Sequence, residues 1–174
     1  MSPKTENPDL ESRFLGRLEP HRAILYKVAR TYGRSPADRD DIVQEIVVQL
    51  WHAFPRYDEA FRFSTWMYRI ALNVAISWHR REQTRTRHVL PAGDELLSRL
   101  AAANEGGDSD DLALLYRCIA GYDDLSKALL MLYLDGQNHQ EIAAVLGITT
   151  TNVATRIGRL KDRLREDFRA AGHL

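Results

Sequence analysis

The stretch "NHQEIAAVLGITTTNVATRIGRLKDRLR", Asn138 to Arg165, holds two helical patterns joined by a stop and a start. The first, from His139 to Leu146, stops at Gly147, where a residue free to adopt positive φ closes a helix. Thr149 then offers a cap for the next helix. In that helix Val153, Ile157, Leu160 and Leu164 fall on one face, which predicts packing against Ile142, Ala143 and Leu146. The spacing predicts a helix-turn-helix. The opposite face presents Thr150, Thr151, Asn152, Thr155, Arg156 and Arg159 toward the N-terminal end, the end such a unit pushes into a major groove. Arg and Asn hydrogen-bond bidentately to guanine and adenine edges, and Thr adds methyl contacts. Lys161 and Arg163 are candidates for phosphate. A plain helical hairpin with a solvated charged face is the competing reading, and the motif by itself implies no more than DNA binding.

Upstream, "DLALLYRCIAGY" and "DLSKALLMLYLDG" continue a run of short helices, each bounded by Gly or Asp. Before them the helical pattern weakens from Glu82 to Asp110. "PAGD" and "EGGDSDD" are polar, rich in glycine and acid, and read as a flexible linker, with "ELLSRLAAAN" as one short helix inside it.

The N-terminal half repeats the helical period. Phe14, Leu18, His21, Leu25 and Val28 mark one helix, and Ile42, Ile46, Val47, Leu50 and Trp51 a second. "YGRSPADRDD" connects them, with an Asp placed to start the second helix. Trp66, Ile70, Asn73, Val74 and Ser77 carry a third helix to about Arg81. No strand pattern and no internal repeat is seen, so the fold class is all-α: two small helical domains and a linker. The expected division is a disordered tail over 1–13, a domain over 14–81, the linker over 82–110 and the helix-turn-helix domain over 111–170.

Composition narrows the classes. A chain of 174 residues suits one ordinary domain or two small ones. The single Cys118 excludes an internal disulfide and argues for a reducing cytoplasm, and the scattered histidines give no metal-ligand spacing. No apolar run reaches the ~18 residues of a membrane span, and the N-terminus has no signal-peptide pattern. The formal net charge is zero, yet basic "HRREQTRTRH", acidic "NEGGDSDD" and basic "RIGRLKDRLRE" are segregated. That arrangement fits either a chain meeting several partners or an ordinary solvated surface.

"FRFSTWMYRIALNVAISWHRR", Phe61 to Arg81, sets rings among Arg, Asn and His. Together with "DDIVQEIVVQLWHAF" before it, this segment resembles the region-two domain of bacterial sigma factors. The helix-turn-helix resembles their region-four domain. The order, the length and the lack of a third domain point to the extracytoplasmic-function group, and the resemblance covers Phe14 to Arg81 and Leu112 to Arg165. It implies a promoter-specificity subunit of RNA polymerase, without enzymatic chemistry or cofactor. Asp41, Gln44, Glu45 and Gln49 would face the clamp helices of the largest polymerase subunit, while Ile42, Ile46 and Leu50 hold their helix to its own domain. The flap of the second largest subunit would be a further contact.

By the same resemblance Arg56, Tyr57 and Phe61 lie near a pocket for a flipped base, and Trp66, Arg69, Asn73, Ser77 and Arg80 offer the rings, donors and cations that hold an opened minus-ten strand. Trp66 suits the core equally well, Phe63 and Ile70 suit it better, and Trp78 has no assignment. At the helix tip Thr151, Asn152 and Ala154 depart from the family pattern, which bears on one phosphate contact. The free protein is expected to be a monomer, and the resemblance implies an anti-sigma factor, in many members of the family membrane-bound, as a partner. Two rivals stay open: a stand-alone helix-turn-helix regulator, and a helical metal-dependent hydrolase built on Asp40, Asp41, Glu45 and Asp58.

Overall fold

The computed structural model describes residues 8–89 and 110–172, and every regular element among them is helical. Helix α1 (Pro8–Leu18) starts the chain, and a 3-10 turn over Glu19–His21 leads to α2 (Ala23–Tyr32). The sequence pattern predicts one helix across this region, and the structure breaks it. Pro20 supplies the reason, since it has no N–H to continue the i→i−4 ladder. The break lets Phe14 pack edge-on against Trp51 and Phe54, at centroid distances of 5.3 and 5.2 Å.

Helix α3 (Pro36–Ala53) begins at a capping box. The Asp38 amide donates to Ser35 Oγ at 3.1 Å, and the Ser35 amide donates to Asp38 Oδ2 at 3.0 Å. Ser35 is therefore the cap and Asp38 its reciprocal partner. Helix α4 (Phe63–Val89) is the longest. α2, α3 and α4 enclose the first part of the core, where Val28, Ile42, Ile46, Leu50, Met67, Tyr68, Ala71 and Ala75 have no exposed surface. Burying each of the larger aliphatic chains is worth about 1.5–3 kcal/mol, so the period-3.6 stripe of α3 is what fixes that helix.

The second half holds α5 (Asp110–Ala120), α6 (Asp124–Leu134), α7 (His139–Leu146) and α8 (Thr150–Ala170). Ser126 to Leu132 of α6 are buried in succession, and Leu129 and Leu132 belong to the same apolar cluster as Ile142 and Val153. Gly147 ends α7 at φ +67°, and Thr149 Oγ1 accepts from the Asn152 amide at 3.2 Å to start α8. Those are the stop and start that the sequence spacing predicts.

Two expected boundaries move. Pro8 to Arg13 belong to α1 rather than to a tail, and residues 82–89 continue α4 rather than beginning a linker. No Gly or Pro interrupts "EQTRTRH", and Arg85 pairs with Glu82 one turn back at 2.8 Å. Asp110 and Asp111 open α5, where carboxylates suit the positive end of the helix dipole. The remaining linker and the expected helix at "ELLSRLAAAN" lie outside the described residues.

The two halves share one continuous core. Asp124, at the start of α6, is the main polar joint: the Tyr32 hydroxyl donates to its carbonyl at 2.8 Å, His79 Nδ1 meets its carboxylate at 2.9 Å, and Arg80 Nε donates at 3.1 Å. Asp135 takes Lys27 and the Tyr68 hydroxyl, and Glu141 takes Arg62.

Candidate nucleic-acid interface

The tip of α8 is an exposed polar face. Thr150, Thr151, Asn152, Thr155, Arg156 and Arg159 are all exposed, while Val153, Ile157 and Leu160 point inward. Arg156 Nε donates to Asn152 Oδ1 at 2.8 Å, and Thr155 Oγ1 donates to the Thr151 carbonyl at 3.0 Å. The Asn152–Arg156 bond holds two side chains of the types that can pair with base edges side by side, one turn apart, near a helix N-terminus.

Lys161 and Arg163 are placed differently from the sequence expectation. Lys161 is half-buried, donates to the Tyr133 hydroxyl at 3.4 Å and lies over that ring. The Arg163 guanidinium stacks on Tyr122 at 4.1 Å. Both sit roughly 15–20 Å along the axis from Thr150, since each residue adds about 1.5 Å, and both are turned toward the helices packed behind α8. Both contacts brace α8 from behind.

On α4, Arg69, Asn73, Ser77 and Arg80 recur at steps of four, four and three and are all exposed, so they line one face. Three are open, while Arg80 is held by Asp124. The loop before α4 carries an aromatic wall. Tyr57 stacks on Phe54 with an interplanar angle of 13°, and its ring centroid is 4.9 Å from Trp66 and 5.4 Å from Phe63. The Tyr57 hydroxyl donates to the Phe61 carbonyl at 2.5 Å, which fixes the loop. Phe61 itself is 66% exposed, a ring with no core to fill. Arg56 is exposed beside it. Trp66 is half-buried within the ring cluster, Phe63 is core, Ile70 is half-buried, and Trp78 packs partly against the core.

On α3, Ile42, Ile46 and Leu50 are fully buried, and Asp41, Gln44 and Gln49 stand exposed on the other side. Glu45 is half-buried, and both its carboxylate oxygens accept from Arg81 Nη2, at 3.1 and 2.9 Å. It therefore ties α3 to α4 as well as facing outward. Val48, 45% exposed, adds an apolar patch to the same face.

The residues that sequence reasoning missed are Arg62, Asp124, His79 and Asp135, which join the two halves. Their partners lie 45 or more positions away, and no periodicity marks such pairs. His79 is only 6% exposed; burial, and then the Lys127 charge, push its pKa below the ordinary 6.5 against the pull of Asp124. Among the described residues no three His, Cys, Asp or Glu side chains gather as a metal site, so Asp40, Asp41, Glu45 and Asp58 do not converge. No described helix is long and apolar enough to cross a membrane.

Comparison with known proteins agrees with this geometry. Residues 18–85 match the family model for sigma-70 region 2, and residues 123–164 match the model for sigma-70 region 4. The RNA polymerase sigma factor CnrH of Cupriavidus metallidurans is 31% identical over 83% of this chain and 80% of its own length. The ECF RNA polymerase sigma-E factor of Escherichia coli K12 is 28% identical over 80% of this chain and 79% of its own. Among solved structures, CnrH in complex with the cytosolic domain of CnrY superposes with a TM-score of 0.64 at 27% identity, over 92% of this chain and 90% of that one. The sigma factor RpoE with the anti-sigma factor NepR from Bartonella quintana shares the fold, with a TM-score of 0.65 at 19% identity over 92% of this chain and 97% of that one. With both sigma regions matched in order and CnrH 31% identical over 83% of this chain, the chain belongs to the sigma-70 family of RNA polymerase sigma factors, in its extracytoplasmic-function group.

Proposed function

We propose a division of labour within this alternative sigma factor, which directs promoter-specific transcription initiation. The exposed face of α3, with Asp41, Gln44, Glu45 and Gln49, docks on core polymerase, at the clamp helices of the largest subunit. The α8 tip, from Thr150 to Arg159, reads minus-thirty-five duplex. The α4 face and the Phe61 loop take the opened minus-ten strand. Melting follows from differential affinity, because bases out of the stack gain ring and edge contacts that duplex withholds. The protein performs no covalent chemistry and works in the cytoplasm with polymerase.

One observation carries this reading: two polar, donor-rich faces stand on separate rigid helices, each backed by a fully buried stripe. A stand-alone regulator would leave the Arg69, Asn73 and Ser77 face and the exposed Phe61 without a partner. The neutral net charge agrees, since polymerase then supplies much of the phosphate attraction. An anti-sigma factor is a further partner on this reading, because two solved relatives are described in complex with CnrY and with the anti-sigma factor NepR.

A pull-down with core polymerase separates the roles. Asp41→Arg with Gln44→Ala should weaken polymerase capture about tenfold or more, as a charge reversal at an interface does. Asn73→Ala should leave capture unchanged and reduce only promoter opening, followed by permanganate footprinting. Equal capture by all three proteins would remove α3 from the docking surface.

A further inference from the structure

Arg62 immediately precedes α4, and its carbonyl accepts the Trp66 amide at 3.1 Å, so its backbone already follows the helical path. It stands seven positions before Arg69, and Arg80 stands eleven after. At 3.6 residues per turn both fall within about 20° of Arg69, in a row about 27 Å long. All three are exposed, yet the two outer guanidiniums are engaged by carboxylates of the other half. Arg62 Nη1 donates to Glu141 Oε1 on α7, and Arg80 Nε donates to Asp124 Oδ2 at the start of α6, at 3.1 Å. Each arginine side chain remains 71% exposed beside its partner. Ion pairs open to solvent on one side are weak, so they yield readily to a competing anion.

We propose that Arg62 is a further contact for the opened minus-ten strand, and that Glu141 and Asp124 hold Arg62 and Arg80 in place of strand phosphates while the halves are packed together. The inference rests on the reading of α4 as the strand-binding face. Guanidinium forks pair with carboxylate and with phosphate in the same geometry, so the strand and these two side chains compete for the same donors. Arg62 directly follows the exposed Phe61, which sets a cation for a phosphate beside a ring for a base. The two promoter elements are by name about 25 base pairs apart, about 85 Å of duplex at about 3.4 Å per pair. A compact chain of 174 residues has a radius of gyration of only about 16 Å. The packed halves therefore cannot meet both elements at once, and the step that parts them is the step that frees Arg62 and Arg80. Strand binding and parting of the halves are then linked: whatever parts them raises strand affinity, and strand favours the parted form by the same factor.

The test titrates the full chain, without polymerase, against a labelled single-stranded oligonucleotide of mixed sequence by fluorescence anisotropy, over a range of salt concentrations. Glu141→Gln combined with Asp124→Asn should bind about three- to tenfold more tightly than wild type, the range that releasing two exposed ion pairs allows. The slope of log K against log salt should steepen by about 0.7 for each phosphate gained. Asp162→Asn with Glu166→Gln removes two charges from the exposed side of α8 and should give a smaller gain with no change of slope. Arg62→Ala should cost more in the Glu141/Asp124 background than in the wild type, because there the guanidinium is free to meet the strand. Glu141→Gln preserves the capping box with Asn138, so that variant alone carries the test should the double variant fail to fold. The proposal is overturned if no variant binds saturably, if the unmasked chain binds no more tightly than the α8 control, or if Arg62→Ala costs the same in both backgrounds. Failure of the underlying reading looks different: Arg69→Ala with Asn73→Ala would then leave the binding of wild type and unmasked chain alike unchanged, where a loss in both is expected.

Discussion

His79 shows how one buried residue can couple stability to pH. Its Nδ1–H donates to the Asp124 carboxylate and its Nε2 accepts from the Gln83 amide, so the neutral imidazole is fully satisfied. Lys127 and Arg34 oppose a further positive charge, and Asp124 favours it; burial tips the balance, so the folded pKa is depressed. With the folded value below the unfolded one, the unfolded chain binds more protons in that window. Stability is therefore fully present above about pH 6.5 and falls as pH drops below it. Thermal melts should show Tm declining from about pH 7.5 to pH 5.5, and His79→Gln should flatten that part of the slope. Gly147 is the contrasting case, because its role was readable from its place between two helical patterns. At φ +67° with open space around it, Gly147→Ala should cost about 1 kcal/mol through backbone conformation alone, measured by denaturant unfolding.

At the scale of elements, α3 and α8 were legible because one face of each is apolar at a 3.6-residue period. Ile42, Ile46 and Leu50 carry that signal on α3, and Ile46→Ala should cost about 2–5 kcal/mol in unfolding. Helix ends were less legible. Pro20 splits what the spacing of Phe14 to Val28 joins, and α4 runs on to Val89 because neither Gly nor Pro stops it. The direction of Lys161 and Arg163 was also hidden, since stacking on Tyr133 and Tyr122 depends on where α5 and α6 pass. On α8, Arg156→Ala should lower affinity for the preferred minus-thirty-five duplex by about 1–3 kcal/mol and relax the sequence preference at one position. Competition binding of the polymerase complex to a duplex library measures both. Arg163→Ala should lower the melting temperature without altering sequence preference.

For the whole molecule, two helical halves and their order could be read from motifs, but their mutual packing could not. Tyr32 and Asp124 are 92 positions apart, and Arg62 and Glu141 are 79 apart; in the sequence nothing marks either pair as partners until the halves meet. The closed arrangement has a functional side, because Arg80 on the proposed strand-reading face is held by Asp124 of the other half. Asp124→Ala combined with Arg62→Ala should loosen the joint, giving a larger radius of gyration by small-angle scattering while far-ultraviolet circular dichroism keeps its helical signal. An unchanged radius would assign the cohesion of the halves to their shared apolar core instead.

The central claim is that two faces of one chain read promoter DNA for polymerase, and run-off transcription tests it most directly. Core polymerase would be supplied with promoter fragments selected from the parent genome and with wild type, Asn73→Ala or Arg156→Ala. Transcripts that require the protein should fade in both variants, and premelting the minus-ten region should restore Asn73→Ala but not Arg156→Ala. Transcription independent of the protein, or full activity in both variants, would contradict the account.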